Sequence, residues 1–469
     1  MFYICSMTDQ HVIWFRRDLR LHDHAPLAAA LASCGPVLPL YIFDPEEWRQ
    51  PGRSARQFAF LLDTLNDLDK ALRARGSALC LRTGPAGDVL ARLHRDAGIT
   101  AIHTYEATGD AFARQRDAGI RKWALKAGVG FREQATNGVG EHSARGDAWI
   151  RHVRSLRHKA PDRLPAPLLD AGFWPEAEDM GLAPDPCPNR QPGGRDMARL
   201  MLQNFLSGRG RNYRIQPRTI MEAESFAHGL SAHLSLGSVS AREVWQVTER
   251  ARQALADDGD HTFVEALNAF QQGLYERCRL RQTDQMPVLT PTDRDVSGKI
   301  SAWLGGQTGF PLIDAGMRAL SAQGTIPDIL AAALLGFARQ HLWVEPGVAA
   351  LSLQAGFTDH DPDCLYKREQ HPAQGHPVRT SRTLDPDGLF IRRWVPELRS
   401  LTGNDLHAPW EAPKYRLNEA GIVLGQSYPM RMVDHTASIR RGTTASAQNT
   451  ARSRRHRQLS LDFGPAPAA

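Results

Sequence analysis

A short segment in the middle of the chain offers the first possible chemistry. Residues 227–231 read A-H-G-L-S, and a run with helical periodicity follows. A helix that begins at Ser231 would leave several backbone N–H groups without partners, and such groups bind phosphate. The same serine could equally serve as an ordinary N-cap that bonds only to its own helix. The residues alone leave both interpretations open.

Basic side chains offer a second chemistry, the attraction of a polyanion. The net charge is +6 and the pI about 9.1, which favours a nucleic-acid partner without requiring one. Basic residues between positions 151 and 159, and arginines between positions 452 and 457, could contact phosphates. A solvated helix face is the commoner meaning of a pattern such as that at 151–159.

The cysteines and the hydropathy exclude other classes of protein. Six cysteines are scattered along the chain and no C-x-x-C occurs, so we expect no metal site. Thiols this far apart are typical of a reducing compartment, and we therefore expect a cytoplasmic protein. No apolar run of about eighteen residues could cross a membrane, and no signal-peptide pattern opens the chain. Translation could begin at Met1 or at Met7.

Short apolar runs and helical patterns alternate between residues 11 and 135. The apolar runs predict four buried strands, at Val12–Phe15, Val37–Phe43, Leu79–Arg82 and Ala101–Tyr105. Between the second and the third, Ser54–Gly76 predicts a helix that Ser54 caps. Such alternation indicates a doubly wound parallel sheet, whose ligands bind at the carboxyl ends of the strands. No G-x-G-x-x-G follows the first strand, so a nicotinamide-dinucleotide site is not predicted.

Composition divides the rest of the chain. Residues 1–10 form an N-terminal extension, and residues 136–200, rich in Gly, Pro, Arg and His, predict a connector with one basic helix near Trp149–Lys159. Residues 201–441 have helical periodicity, and residues 442–469 are too polar to bury a core and predict a disordered basic tail. The expected fold class is α/β, with a doubly wound parallel-sheet domain over residues 11–135 followed by an all-helical domain over residues 201–441.

Three stretches carry a resemblance to a known family. Residues 303–320 read W-L-G-G-Q-T-G-F-P-L-I-D-A-G-M-R-A-L, residues 11–27 read H-V-I-W-F-R-R-D-L-R-L-H-D-H-A-P-L, and residues 384–398 read L-D-P-D-G-L-F-I-R-R-W-V-P-E-L. They resemble the signature helix, the opening strand and the closing helical segment of the photolyase/cryptochrome family, in that family's order over roughly residues 10–440. The resemblance implies an N-terminal domain that can hold a light-harvesting antenna, a folate or a deazaflavin, and a helical domain that binds FAD.

The resemblance also implies a function. Members of the family use buried FAD to absorb blue light and pass an electron to a pyrimidine dimer flipped out of duplex DNA. We therefore expect a monomeric DNA photolyase, a carbon–carbon lyase that repairs such dimers. Two alternatives stay open, a cryptochrome-like light sensor without repair activity and a DNA-binding protein that kept the fold and lost FAD. The identity of the antenna and the type of dimer do not follow from the sequence.

Positions aligned with the functional residues of the family define the expected site. The positions expected to contact FAD are Tyr213, Gly229, Leu230, Ser231, Asp328, Asp359, Asp361 and Leu365. The positions expected to contact DNA are Arg214, Arg218 and Arg379, and Trp343 is a candidate for electron transfer. Matching residues near the start of the chain are interpreted as architectural, namely Arg17, Asp18, Arg20, Asp23 and Arg116-Asp117. We assign no catalytic side chain and expect no metal ligand.

Other flavin-facing positions depart from the family pattern. Ala227 and His228 replace a Thr and a Ser, and Ile329 and Ala331 replace two Arg. A second group replaces a Trp, an Arg, a Glu and two relay Trp, namely Gln271, Gln272, Gly273, Glu369 and Pro346. Leu365 replaces an Asn and cannot hydrogen-bond the flavin N5. If these positions line a filled apolar space, we expect a protein without FAD; if they line a cavity, we expect a flavoprotein.

Overall fold

The structure is a computed structural model that describes residues 10–33, 35–108, 111–136, 146–166, 169–214, 216–281, 294–359, 376–434 and 437–438. The chain divides into two compact units. The first contains Met1–Val288, Ala319–Ile329 and Ala350–Gln370, and the second contains Leu289–Arg318, Leu330–Ala349 and His371–Ala469. None of the helices in the described ranges combines the length and the apolar character needed to cross a bilayer. The domain limits proposed from composition stay a prediction.

The first unit is built on a parallel sheet of five strands in the order β3-β2-β1-β4-β5. The strands are β1 (Gln10–Phe15), β2 (Val37–Phe43), β3 (Cys80–Thr83), β4 (Ile99–Tyr105) and β5 (Gly130–Gln134). The first four confirm the predicted strands to within two residues. The sequence pattern missed β5 because G-F-R-E-Q is a half-buried edge strand without an apolar run.

Helices cover both faces of this sheet, and the helices up to residue 280 belong to the first unit. They are α1 (Ala25–Leu31), α2 (Pro45–Trp48), α3 (Ala55–Arg73), α4 (Ala86–Ala97), α5 (Ala111–Ala127), α6 (Gly146–Arg154), α7 (Arg195–Leu206), α8 (Ile220–Ser225), α9 (Ser231–Leu236), α10 (Ala241–Asp257) and α11 (His261–Leu280). Two short 3-10 turns lie at Glu178–Met180 and Arg209–Asn212. The basic helix predicted at Trp149–Lys159 is α6, which ends at Arg154 instead.

Further along the chain the structure is helical. The helices are α12 (Arg294–Leu304), α13 (Pro311–Gln323), α14 (Asp328–Gln340), α15 (Pro346–Gln354), α16 (Pro377–Leu384), α17 (Leu389–Trp394), α18 (Gly403–His407) and α19 (Lys414–Glu419). Two 3-10 turns lie at Pro396–Leu398 and Pro409–Glu411. The sheet followed by helices confirms the expected fold class.

Both faces of the sheet are buried, as the continuous apolar runs predict. Successive side chains of a strand point to opposite faces. Ile13 and Phe15 of β1 accordingly pack in one core cluster with α3, whereas Val12 and Trp14 pack in another with α4. All four side chains are almost fully buried. A third cluster, which includes Phe205 of α7, joins α7, α9, α10 and α11 into a helical layer of the same unit.

The start of α3 differs from the sequence prediction. Ser54 occupies the N-cap position, but its side chain makes no capping hydrogen bond. Further along, helix α3 holds part of the connector (residues 136–200) in place. Asp63 accepts hydrogen bonds from Arg190 at 2.9 Å and from the backbone N–H of Gly193 at 3.1 Å. A Cβ atom on Gly193 would lie 2.6 Å from the carbonyl oxygen of Phe60, so only glycine permits this approach.

In the second unit, the signature helix α13 is held by a buried carboxylate. Asp314, which is fully buried, accepts hydrogen bonds from the backbone N–H and the hydroxyl of Thr308, both at 2.7 Å. It also accepts from the backbone N–H of Gly309 at 3.0 Å and from the hydroxyl of Tyr428 at 2.7 Å. Gly309 has φ +76°, and a Cβ there would lie 2.5 Å from the carbonyl oxygen of Met430. These contacts give the T-G-F-P segment a structural reason.

Candidate functional site

The segment before α8 places Tyr213 in an aromatic cluster of the first unit. Its ring lies 5.6 Å from that of Phe205 and 5.8 Å from that of Phe270, measured between centroids. A Cβ on Gly273 would lie 3.5 Å from the tyrosine hydroxyl, so the small residue at this position of α11 leaves room for it. Burial, with a contribution from the carboxylate of Asp328, raises the pKa of Tyr213 to about 12. Tyr213 therefore stays protonated and can donate a hydrogen bond.

His228 performs part of the work expected of the hydroxyl that it replaces. Its Nδ1 accepts a hydrogen bond of 3.0 Å from the backbone N–H of Leu230, and its ring packs 5.3 Å from that of Phe270. Burial, and next the charge of Arg277, lower the pKa of His228 to about 4, so the ring is neutral at pH 7. The substitution does not leave the loop without a hydrogen-bonding side chain.

Ser231 is not an N-cap, which corrects one of the two interpretations of this residue. Leu230 occupies the N-cap position of α9 and Ser231 is the first helical residue. The serine hydroxyl donates a short hydrogen bond to the carboxylate of Asp359. The contact joins two segments that lie 128 positions apart in the chain.

Arg277 completes this polar group and was not predicted from the sequence. Its guanidinium donates to the hydroxyl of Ser231 at 2.8 Å and to the backbone carbonyl of Ser231 at 3.0 Å. The sequence contained a sign that Arg277 could belong to the site. Arg277 follows Gly273 by four residues on α11, and residues at this spacing share a helix face. The triad of Ser231, Arg277 and Asp359, here called the Ser–Arg–Asp group, is half-buried.

The other residues expected to contact FAD differ in burial and in backbone conformation. Gly229 has φ +70°, and a Cβ there would lie 3.1 Å from the sulfur of Met201. The side chain of Leu230 is fully buried in the helical core cluster, so only its backbone could face a ligand. Asp328 is exposed at the start of α14. Asp361 and Leu365 lie outside the described residues, as does Glu369.

The expected DNA and electron-transfer residues are accessible. Arg214 and Arg218 are exposed in the first unit, on the segment that leads into α8. Arg379 is exposed in the second unit, in the first turn of α16. Trp343, also in the second unit, is half-buried and has φ +62°, an uncommon backbone conformation for a residue with a side chain.

A cavity of about 340 Å³ opens at the carboxyl ends of the strands of the first unit. It is lined by residues at or next to the last position of four strands, namely Phe15, Ile42, Tyr105 and Gln134. Aromatic rings and cations alternate on its wall. The guanidinium of Arg16 lies 4.7 Å from the ring centroid of Trp14, and that of Arg116 lies 5.0 Å from the same centroid. Such a wall suits a planar, negatively charged aromatic molecule.

The residues interpreted as architectural form internal hydrogen bonds and ion pairs beside this cavity, and burial keeps the pKa of His24 low. Asp18 accepts a hydrogen bond from His24 at 2.8 Å, and Arg16 pairs with the buried Asp117. The carboxylate of Asp23 pairs with Arg242. These contacts fix the wall of the cavity, and they explain the charged residues of the opening motif by packing.

The comparisons with known proteins agree with this architecture. The model of the DNA photolyase family matches residues 11–144, and that of the FAD binding domain of DNA photolyase matches residues 260–448. A deoxyribodipyrimidine photo-lyase of Agrobacterium fabrum is 28% identical and covers 93% of this chain and 97% of its own. A cryptochrome DASH of Gloeobacter violaceus is 27% identical and covers 90% of this chain and 93% of its own. The chain belongs to the photolyase/cryptochrome family.

Solved structures extend the comparison. A bacterial class III photolyase from Agrobacterium tumefaciens has a TM-score of 0.76 and 25% identity, covering 94% of this chain and 98% of its own. An archaeal photolyase from Sulfolobus tokodaii, solved with two FAD molecules, has a TM-score of 0.68 and 22% identity, covering 94% of this chain and 100% of its own. These structures agree with the fold, while the family models and the relatives confirm the predicted family, and the FAD-binding domain is part of this chain.

Proposed function

We propose that this protein is a DNA photolyase that uses bound FAD and blue light to split pyrimidine dimers in duplex DNA. The observation that carries the proposal is the Ser–Arg–Asp group, which supplies the first unit with a cation and a carboxylate joined through one serine. Two of its members, Arg277 and Asp359, lie in the part of the chain that matches the FAD-binding domain.

The donors and acceptors present fit FAD. The pyrophosphate of FAD requires positive charge, which Arg277 supplies, and its ribityl hydroxyls require acceptors, which the carboxylate of Asp359 supplies. Tyr213 adds a protonated hydroxyl near α11. The family has Arg at the positions of Ile329 and Ala331 here, and Arg277, from a different helix, supplies one positive charge in their place.

Each part of the site then has a task. Bound FAD supplies the light-driven electron that splits the dimer and is returned afterwards. Arg277, Ser231 and Asp359 hold and orient the cofactor. The exposed cations Arg214, Arg218 and Arg379 attract the phosphates of the damaged duplex. In this proposal the protein works as a monomer in the cytoplasm.

The cavity at the strand ends is proposed to hold a second, light-harvesting chromophore. Its volume of about 340 Å³ lies within the usual range of small-molecule sites. Its stacked Arg and Trp side chains favour an aromatic anion, a description that includes both a folate and a deazaflavin. Arg277 also lines this cavity, so in this proposal the same residue lies beside both chromophores.

A light sensor without repair activity is the second candidate function. The observation that favours it is the similar identity to proteins of both kinds, since Cryptochrome-1 of Arabidopsis thaliana is also 28% identical over 92% of this chain. A sensor would bind FAD through the same Ser–Arg–Asp group. It would differ only in leaving dimers intact.

The test begins with the flavin content of the purified protein. We expect FAD to be released on denaturation, and we expect Asp359→Ala and Arg277→Gln to reduce it. Loss of one charge-assisted hydrogen bond costs about 1.5–3 kcal/mol, which corresponds to a roughly 10- to 150-fold weaker affinity. Arg279→Gln is the matched control, because Arg279 lies on the same helix and is exposed. Equal flavin content in all four proteins would reject the assignment of the site.

A repair assay then separates the two candidates. The protein with bound FAD is mixed with duplex DNA that contains pyrimidine dimers, and intact dimers are counted in the dark and under blue light. Light-dependent loss of dimers supports the photolyase. A protein that binds FAD stoichiometrically and leaves all dimers intact in the light would make the sensor the better proposal.

A further inference from the structure

A second, open groove lies in the first unit and adjoins the cavity at the strand ends, with Asp23 and His158 in both walls. It has a volume of about 810 Å³ and is formed by the end of α6, the segment 155–159, the first turns of α7 and one face of α10. Six cationic side chains line it, namely Arg154, Arg157, Lys159, Arg195, Arg199 and Arg250. We call this surface the basic groove.

The acidic residues of the basic groove are already neutralised. Glu243 forms a bidentate ion pair with Arg195, in which the two guanidinium nitrogens lie 2.6 and 2.9 Å from the two carboxylate oxygens. Glu249 pairs with Arg252 at 2.6 Å. The third acid, Asp23, is buried and paired with a cation behind the groove. The remaining cations therefore determine the charge that the groove presents to a ligand.

Four of those cations point to solvent without a carboxylate partner. Within the described ranges of the chain, no acid lies within salt-bridge distance of Arg154, Lys159, Arg199 or Arg250, and all four are exposed. The positive charge of the groove also acts on a neighbouring histidine. Burial and then the charges of Arg195 and other arginines, Arg199 among them, lower the pKa of His22 at the edge of the groove.

The scaffold under these cations is fixed. Gln246 of α10 donates hydrogen bonds to the carbonyl oxygens of Val153 at 2.7 Å and Ser155 at 2.9 Å. Arg242 of the same helix donates to the hydroxyl of Ser155 at 2.7 Å. The segment that carries Arg154 is therefore tied to the helix that carries Arg250. The cations are therefore carried by linked elements that keep their relative positions fixed.

We propose that the basic groove binds the phosphodiester backbone of a nucleic acid, without regard to base sequence and separately from the lesion-binding residues. Arginine predominates, and its planar fork matches phosphate oxygens. Four of the six cations are exposed, which suits an extended ligand whose phosphates stay partly in water. Trp245 in the groove is only 9% exposed, so it presents no open ring for base stacking. Recognition would rest on charge.

This proposal does not depend on flavin or on repair, and it is tested in the dark with undamaged DNA. Binding of the full-length protein to a fluorescent duplex, and to a single strand of the same sequence, is followed by anisotropy over a series of salt concentrations. The variant is Arg154→Ala/Arg199→Ala/Arg250→Ala. The control variant, Arg92→Ala/Arg95→Ala/Lys126→Ala, removes three exposed cations of the same unit that lie outside the groove.

The salt dependence gives the expected size of the effect. Each phosphate contact with a duplex contributes about 0.9 to the slope of log affinity against log salt, so three contacts contribute about 2.7. The affinity of the unmodified protein should therefore fall about 40-fold more than that of the groove variant between 50 and 200 mM salt. The control variant should keep the slope of the unmodified protein. Preference for the duplex or for the single strand then identifies the form of nucleic acid.

Other outcomes would overturn the proposal. One is an unchanged slope in the groove variant, and another is an equal loss in the control variant, which would indicate general charge attraction. A third is failure of the unmodified protein to bind either strand form. Competition by poly-L-glutamate as strong as that by unlabelled duplex would assign the groove to an acidic protein instead. Lys159→Ala provides a second, milder variant if the triple substitution unfolds the protein.

Discussion

Replacement of the buried carboxylate in the signature helix should open the second unit locally. Asp314→Ala removes the acceptor of the backbone N–H groups of Thr308 and Gly309 and of the hydroxyl of Tyr428. A buried donor left without a partner costs about 1–3 kcal/mol. Burial raises the pKa of Asp314, which shows that desolvation of the carboxylate already offsets part of the stability that its hydrogen bonds provide. We expect a net loss of about 4 kcal/mol.

Hydrogen exchange measures this loss where it occurs. The amides of Thr308 and Gly309 are bonded directly to Asp314, so their protection should fall by roughly three orders of magnitude in Asp314→Ala. Tyr428→Phe removes one of the same hydrogen bonds and should cost only about 1–2 kcal/mol. Unchanged protection of the two amides in Asp314→Ala, or a larger effect from Tyr428→Phe, would refute the reasoning.

Three further predictions concern the first unit. Gly193→Ala should destabilise the connector by about 1–3 kcal/mol in thermal melting, because its Cβ would meet a carbonyl oxygen of α3. The control variant, Gly119→Ala, lies on α5, where an added Cβ meets no atom within 4 Å, and should stabilise the protein by up to about 1 kcal/mol. The lowered pKa of His228 predicts stability that is fully present above pH 6.5 and is lost as the pH falls towards 4, by about 2 kcal/mol at pH 5; His228→Asn should lack this component in denaturant titrations, and an identical pH profile would contradict the assignment. Asp23→Asn should cost about 3–5 kcal/mol, since it leaves the buried Arg242 without its carboxylate; a variant as stable as the parent in urea would show that this pair is not needed.

The sequence predicts the sheet well and the polar site poorly, for physical reasons. Buried strands need continuous apolar runs, and such runs are visible at β1 and β2. The edge strand β5 has no such run and was missed. Ser54 shows a related limit, since its residue type fits an N-cap although its hydroxyl makes no capping bond. Local patterns therefore predict burial better than they predict hydrogen bonds.

The Ser–Arg–Asp group could not be derived from local patterns. Its members come from α9, α11 and the segment after α15, and they meet only after the chain has folded. A position-by-position match to the family finds Ser231 and Asp359, because both lie where the family has a matching residue. It misses Arg277, because the alignment places the family's Arg of this helix at Gln272, five positions earlier.

The strongest family motif and the proposed chemistry belong to different parts of this chain. Asp314 and Gly309, at the centre of the signature, bond to their own unit and explain the motif by folding alone. A match to this motif therefore shows the fold and says little about FAD. The flavin assignment rests instead on Arg277 and its contacts with Ser231, which is why substitution of Arg277 and not of the signature residues is the decisive test of function.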